Sequence, residues 1–138
     1  MGMSRLPDQA AVDAIEREAR AAGVPVSIAL SVCTVESRLG TRGRILCGCY
    51  VYRRDEAGRL VRDVRGRPVI DTSIDAQARC VAVSLRHNVA RCRSWAAGLR
   101  EYNLGGGCPL GDPRGYVGRV VRLQRAAARL THERPLTD

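Results

Sequence analysis

Apolar residues recur every three or four positions over most of this chain, and gather in short β-branched and aromatic runs over one central stretch. The first pattern predicts helices and the second predicts short strands. Asp8 can cap a first helix running to Ala22, with Gly23 as its stop and Val12, Ile15, Ala19 and Ala22 as its inner stripe. A second helix begins at Pro25, which suits a first helical position, and Gly40 is its expected stop. Its stripe is Ile28, Val32, Val35 and Leu39. Arg42 to Cys49 reads as a loop. The period then changes, with short β-type runs at Tyr50-Val51-Tyr52-Arg53, Arg59-Leu60-Val61-Arg62 and Arg67-Pro68-Val69-Ile70, parted by turns at Asp55-Glu56-Ala57-Gly58 and Arg65-Gly66. These three runs predict a small antiparallel meander, too small to fold alone.

Helical spacing returns after Thr72-Ser73-Ile74-Asp75, which resembles a capping box with Asp in place of Glu. Ile74, Ala78, Val81 or Ala82, and Leu85 form the next stripe, ending near Asn88. A fourth helix is expected from about Arg93 to Tyr102, with Trp95, Leu99 and Tyr102 on one face, and it breaks at the glycine-rich run Asn103 to Pro109. Asp112-Pro113 gives a cap followed by proline, starting a last helix with Tyr116, Val120, Leu123, Ala127 and Leu130 inward. The polar tail after Thr131 is expected to fray. The predicted architecture is α+β, mainly helical, with a small sheet inserted after the second helix. At 138 residues it forms one domain over 1–138, without internal repeats.

Composition narrows the classes. Apolar residues are 45% of the chain, which argues against disorder, and no apolar run is long enough for a membrane span. Met1-Gly2-Met3-Ser4-Arg5 lacks the apolar core of a signal peptide. The net charge is +9 and every basic residue other than histidine is Arg, suiting a general attraction to a polyanion. The arginines form no dense run and follow no recognition-helix pattern, so nucleic acid is the less favoured polyanion. Six cysteines stand at 33, 47, 49, 80, 92 and 108. Cys47-Gly48-Cys49 lacks zinc-knuckle spacing, and His87 and His132 are isolated, so no metal site is expected. An even count fits disulfides and an oxidising compartment. Sequence alone leaves the pairing open. Cys80–Cys92 across a turn between helices, and Cys47 or Cys49 to Cys108, are the bridges considered.

The feature that bears on chemistry is Glu36. It lies four residues after Val32, three after Cys33 and seven after Ala29, so it shares the inward face of the second helix. A carboxylate there must be paired, or its pKa rises. The two readings are a structural ion pair with an arginine, and a general acid kept protonated by a half-apolar cleft.

Three motifs weigh toward the second. Val35-Glu36-Ser37-Arg38 ends the apolar helix, Glu101-Tyr102-Asn103-Leu104-Gly105 ends the fourth, and Tyr116-Val117 opens the last. Together with the lead-in Gly23 to Leu30, their order resembles the lysozyme-like superfamily, within it the soluble lytic transglycosylases and goose-type lysozymes, over roughly Ala10 to Ala128. The resemblance implies a lysozyme-like fold and Glu36 as catalytic acid. It implies that Ser37 lies beside the bound sugars, that Tyr102 positions Glu36, that the Asn103 turn lines the cleft, and that Tyr116 walls it. Glu101 replaces the family's usual Ala. Where the family places Gly-Leu-Met-Gln, this chain has Cys47-Gly48-Cys49-Tyr50-Val51, in which only Gly48 fits. Tyr50 is expected at the substrate in that segment.

The implied activity is cleavage of the MurNAc–GlcNAc β-1,4 bond of peptidoglycan, without cofactor, by a monomer acting in the periplasm or outside the cell. Asp55, Asp63 and Asp71 are the candidates for a second carboxylate, though each has turn-like neighbours. With none in a recognisable motif, a lytic transglycosylase that forms a 1,6-anhydro sugar is favoured over a hydrolytic lysozyme. A non-catalytic wall-binding or structural module and an Arg-rich nucleic-acid-binding protein are the readings from other classes.

Overall fold

A computed structural model describes residues 8–38 and 45–137. Among them are five helices: α1 (Gln9–Ala22), α2 (Val26–Ser37), α3 (Ile74–Cys92), α4 (Trp95–Leu104) and α5 (Tyr116–Thr131). The protein is mainly helical. The N-terminal segment, Leu39 and the expected stop at Gly40, and most of the loop before Ile45 lie outside the described residues.

The helix at the centre is α2. Its residues are buried on nearly every side, including Val26, Ile28, Ala29, Val32 and Cys33, as expected of a helix without a polar face. Three of its hydroxyls bond back within the helix: Ser31 Oγ donates to Ser27 O at 2.6 Å, Thr34 Oγ1 to Leu30 O at 2.7 Å, and Ser37 Oγ reaches Cys33 O at 3.3 Å. α1 and α5 pack against it, α3 packs on α1, and α4 packs on α3. α1 keeps its predicted bounds because both signals are local. Asp8 accepts from Ala10 N, and Gly23 at φ 72° returns its N–H to the last turn. α2 ends at Ser37, with Arg38 taking the left-handed position at φ 51°.

The C-terminal tail is docked, contrary to the expectation that it frays. Glu133 accepts from Val26 N at 2.7 Å and Ser27 N at 2.8 Å, capping the N-terminus of α2. Pro25, the residue at the cap position, has no side-chain donor or acceptor to do this. Burial alone would raise the Glu133 pKa. Hydrogen bonds from Thr131, Ser27 and Val26 outweigh it and hold the carboxyl below its ordinary value. Gln124, fully buried on α5, fixes the rest of the tail: Nε2 donates to Ser27 Oγ at 3.0 Å and to Arg134 O at 2.9 Å, and Oε1 accepts from Leu136 N at 2.7 Å. The inner face of α5 is therefore Tyr116, Val120, Val121, Gln124 and Ala128, while Leu123 and Leu130 are exposed.

Other boundaries also shift. α3 runs past Asn88 to Cys92, and α4 starts at Trp95 with Ser94 as its cap. α5 starts at Tyr116, beyond the Asp112-Pro113 signal. Asp112 still serves it, accepting from Val117 N at 3.2 Å and Gly118 N at 3.3 Å.

No strand or sheet is present among the described residues. The region 51–71 instead holds three isolated antiparallel bridges: Tyr52 with Ile70, Arg54 with Leu60, and Arg62 with Pro68. The reason corrects the expectation of no internal repeat: an eight-residue unit, Arg54-Asp55-x-x-Gly58-Arg59-x-Val61, is followed by Arg62-Asp63-x-x-Gly66-Arg67-x-Val69, and the hydrophobic pattern conceals it. Each copy makes one tight turn. Asp55 Oδ1 accepts from Ala57 N and Arg59 N, and Asp63 Oδ1 from Arg65 N and Arg67 N. Arg54 Nη1 donates to Gly58 O as Arg62 Nη1 donates to Gly66 O. Both glycines are left-handed, at φ 78° and 77°. A turn every eight residues leaves each arm room for a single bridge, so no ladder forms. Arg53, Val61 and Val69 close the arms on one another: Val61 N donates to Arg53 O, Val69 N to Val61 O and Arg53 N to Val69 O, at 2.8–3.0 Å. Asp71 N completes the third arm on Val51 O at 2.7 Å.

All six cysteines are paired, as Cys33–Cys47, Cys49–Cys80 and Cys92–Cys108. The bridges considered from sequence are corrected. Cys80 and Cys92 lie on one continuous helix, roughly 18 Å apart along its axis, far beyond the reach of a disulfide. Cys108 meets Cys92 because α4 folds straight back from the end of α3. Three disulfides suit an oxidising compartment. Among the described residues no helix is long and apolar enough to cross a membrane.

Candidate active site

The last turn of α2 presents Glu36, half-buried, to the segment Cys47-Gly48-Cys49. The two meet closely enough that Gly48 has no room for a side chain. A Cβ there would lie 2.8 Å from Glu36 Cδ and 3.1 Å from Cγ, and nearer still to Oε2. Gly48 is also left-handed, at φ 63°. Glycine is thus required twice at this position, by backbone and by contact.

Two tyrosines converge on the same carboxylate. Tyr102, from α4, donates its hydroxyl to Cys47 O at 2.6 Å. Burial raises its pKa well above the ordinary 10, and the charge of Glu36 adds to the effect. Tyr116, the first residue of α5, is buried, and its pKa is raised by burial first and then by the charge of Glu36. Its hydroxyl stands near enough for Glu36 to act on it, yet has no partner in good hydrogen-bond geometry among the described residues. Asn103 Nδ2 is likewise buried without a partner there. Both phenols stay neutral at ordinary pH and keep the hydroxyl proton, which Tyr102 spends on Cys47 O.

The Cys47–Cys49 segment is held from several directions. Cys33–Cys47 ties it to α2 and Cys49–Cys80 ties it to α3. Gln77, fully buried on α3, accepts from Cys47 N at 3.3 Å and Cys49 N at 3.1 Å, and donates to Cys49 O at 2.7 Å and Asp71 O at 3.0 Å. Ser37 is also fully buried. Its hydroxyl donates to Leu46 O, so it fastens this segment to the helix end instead of standing on a surface that a sugar could reach. Sequence reasoning missed Gln77, because a glutamine between apolar residues reads as surface. The signal present was its place on the inner stripe, three residues after Ile74 and four before Val81.

Glu101 has a supporting role. Its carboxylate accepts from Gly107 N and Cys108 N and lies 3.7 Å from Arg91 Nη2, which fixes the glycine-rich loop behind Asn103. Tyr50 is mostly exposed and lines a groove with Tyr52, Arg79 and Val83. Asp55 and Asp63 are engaged in their own turns. Asp71 accepts from Ser73, whose hydroxyl and N–H hold its pKa below the usual carboxylate value. The structure thus gathers Glu36, Tyr102 and Tyr116 at one place and leaves Tyr50 outside that cluster. No group of His, Cys, Asp and Glu able to hold a metal ion occurs among the described residues. No protein-family model, curated protein or solved structure matches this chain.

Proposed function

We propose that this protein cleaves the MurNAc–GlcNAc bond of peptidoglycan, with Glu36 as the acid and then the base. The observation that carries the reading is the convergence of Gly48, Tyr102 and Tyr116 on one half-buried carboxylate at the end of a buried helix. Glycosidic cleavage needs a proton delivered to the leaving oxygen and stabilisation of an oxocarbenium-like centre. In this reading Glu36 supplies the proton, Tyr102 fixes the wall opposite it, and the buried Tyr116 hydroxyl steadies its carboxylate.

The candidate second carboxylates favour transglycosylation over hydrolysis. Asp55, Asp63 and Asp71 each commit a carboxylate oxygen to their own turn. A transglycosylase needs no such group. The muramyl 6-hydroxyl attacks the anomeric carbon, Glu36 takes its proton, and the product is a 1,6-anhydro sugar. The surplus of arginines favours the anionic wall polymer, and the disulfides fit work in the periplasm or outside the cell. The test is clearing of purified peptidoglycan by wild type and by Glu36→Gln, with the fold of each checked by circular dichroism. Clearing by wild type and its loss in the variant are expected. A folded wild type that clears nothing contradicts the proposal.

A further inference from the structure

Away from Glu36, an open groove of about 510 Å³ runs between the extended segment after Cys49 and the outer face of α3. Its construction is regular. Tyr50, Tyr52 and Arg54 alternate along the extended segment and line one wall, and Ala76, Arg79, Cys80 and Val83 recur at helical spacing along the other. These helical positions do not belong to the core stripe of α3, which is Gln77, Ala78, Val81, Ala82 and Leu85. α3 therefore has a second face, with Ala76, Cys80 and Val83 beside Arg79, that no other helix covers among the described residues. Its side chains stay accessible: Tyr50 is 75% exposed, Tyr52 45% and Val83 52%.

The composition of this lining is selective. The chain has four tyrosines, of which two serve the Glu36 site and the other two stand here. The groove is lined by two arginines and no acid. Arg79 has no ion pair among the described residues, and Arg54 gives a single hydrogen bond to Gly58 O. Exposed phenol rings beside unpaired guanidinium groups fit a ligand with flat apolar faces and regularly placed carboxylates. A neutral glycan offers the faces without the charge.

We infer that this groove is a second binding site for a glycan strand bearing carboxylate substituents, separate from the residues around Glu36. The tyrosines stack on sugar faces, and Arg54 and Arg79 pair with the carboxylates. Tyr50 is two residues from Gly48, so one short stretch of chain joins the groove to the wall that faces Glu36. Peptidoglycan, whose lactyl-linked peptides carry such carboxylates, is chosen as the polymer because of the proposed activity, and only that choice rests on it.

The test is cosedimentation of the full chain carrying Glu36→Gln with purified peptidoglycan, with chitin as a neutral glycan and with a single-stranded DNA oligonucleotide as competitor. Tyr52→Ala is expected to weaken peptidoglycan binding about tenfold. Arg79→Ala weakens it about threefold and flattens its salt dependence. Tyr52→Phe, which keeps the ring, retains binding, and Arg86→Ala, which removes the same charge elsewhere on α3, leaves it unchanged. Chitin binds more weakly than peptidoglycan. The inference is overturned if folded Tyr52→Ala and Arg79→Ala bind peptidoglycan as the parent does. It is also overturned if their loss appears only toward DNA. Clearing by the unmutated chain separates the two readings. Groove-dependent binding without clearing refutes the role of Glu36 alone, and clearing without groove dependence refutes the groove alone.

Discussion

Replacing Gly48 by Ala tests the closest contact in the site. At φ 63° an alanine enters the left-handed region, which costs about 1–2 kcal/mol. Its Cβ would also stand 2.8 Å from Glu36 Cδ, which is too close to persist. The crowded atoms are the far end of a flexible side chain, so the contact is relieved by Glu36 swinging away and adds little to the cost in stability. If Glu36 is the reacting group proposed, the loss then falls on catalysis, because displacing such a group by about 1 Å lowers rates on the order of a hundredfold. Gly23 supplies the control. It has φ 72°, and a Cβ there meets nothing within 4 Å, so Gly23→Ala carries the strain without the contact. Urea denaturation should show similar destabilisation in both variants. Release of soluble muropeptides should fall about a hundredfold in Gly48→Ala and be unchanged in Gly23→Ala. Equal activity in the two would refute the view that Gly48 is kept small for Glu36.

Gln77→Leu takes the partner from Cys47 N, Cys49 N and Asp71 O, while Cys49 O keeps Val51 N, and should lower unfolding free energy by about 3–5 kcal/mol in urea titrations. Glu133 has a folded pKa below its unfolded one, so its contribution is present above the unfolded pKa and is lost as pH falls through the folded pKa. Thermal melts from pH 7 downward should therefore show wild type losing stability below about pH 5 more steeply than Glu133→Gln. Removing Cys33–Cys47 or Cys92–Cys108 by paired serine substitution should each cost about 3 kcal/mol, since the closed loops are similar in length. Only the first loss should also depress turnover, because only that bridge ties the Gly48 wall to α2.

What was legible in the sequence was local. Asp8 and Gly23 bound α1 because each acts on its own helix end. The inward face of α2 was readable from Val32 and Cys33, so Glu36 could be placed beside them. Interactions distant along the chain were not readable. The cap of α2 comes from Glu133, more than a hundred residues away. Gln77 and Gln124 are core residues by virtue of the backbone groups they satisfy, and no hydrophobic period marks them. The disulfide pairing follows from the turn between α3 and α4 and from the unbroken run of α3 past Cys80. The eight-residue repeat was present in the letters, at Asp55-x-x-Gly58 and Asp63-x-x-Gly66. Its short β-branched runs read as strands, when turns so closely spaced leave no length for a ladder.

The central claim is that Glu36 breaks a glycosidic bond and that no second carboxylate delivers water to the product. Mass spectrometry of the fragments released from purified peptidoglycan tests both halves together. Wild type is expected to release 1,6-anhydroMurNAc ends, and folded Glu36→Gln no fragments. Reducing MurNAc ends would contradict the transglycosylase chemistry, and fragments released undiminished by Glu36→Gln would contradict the role of Glu36 itself.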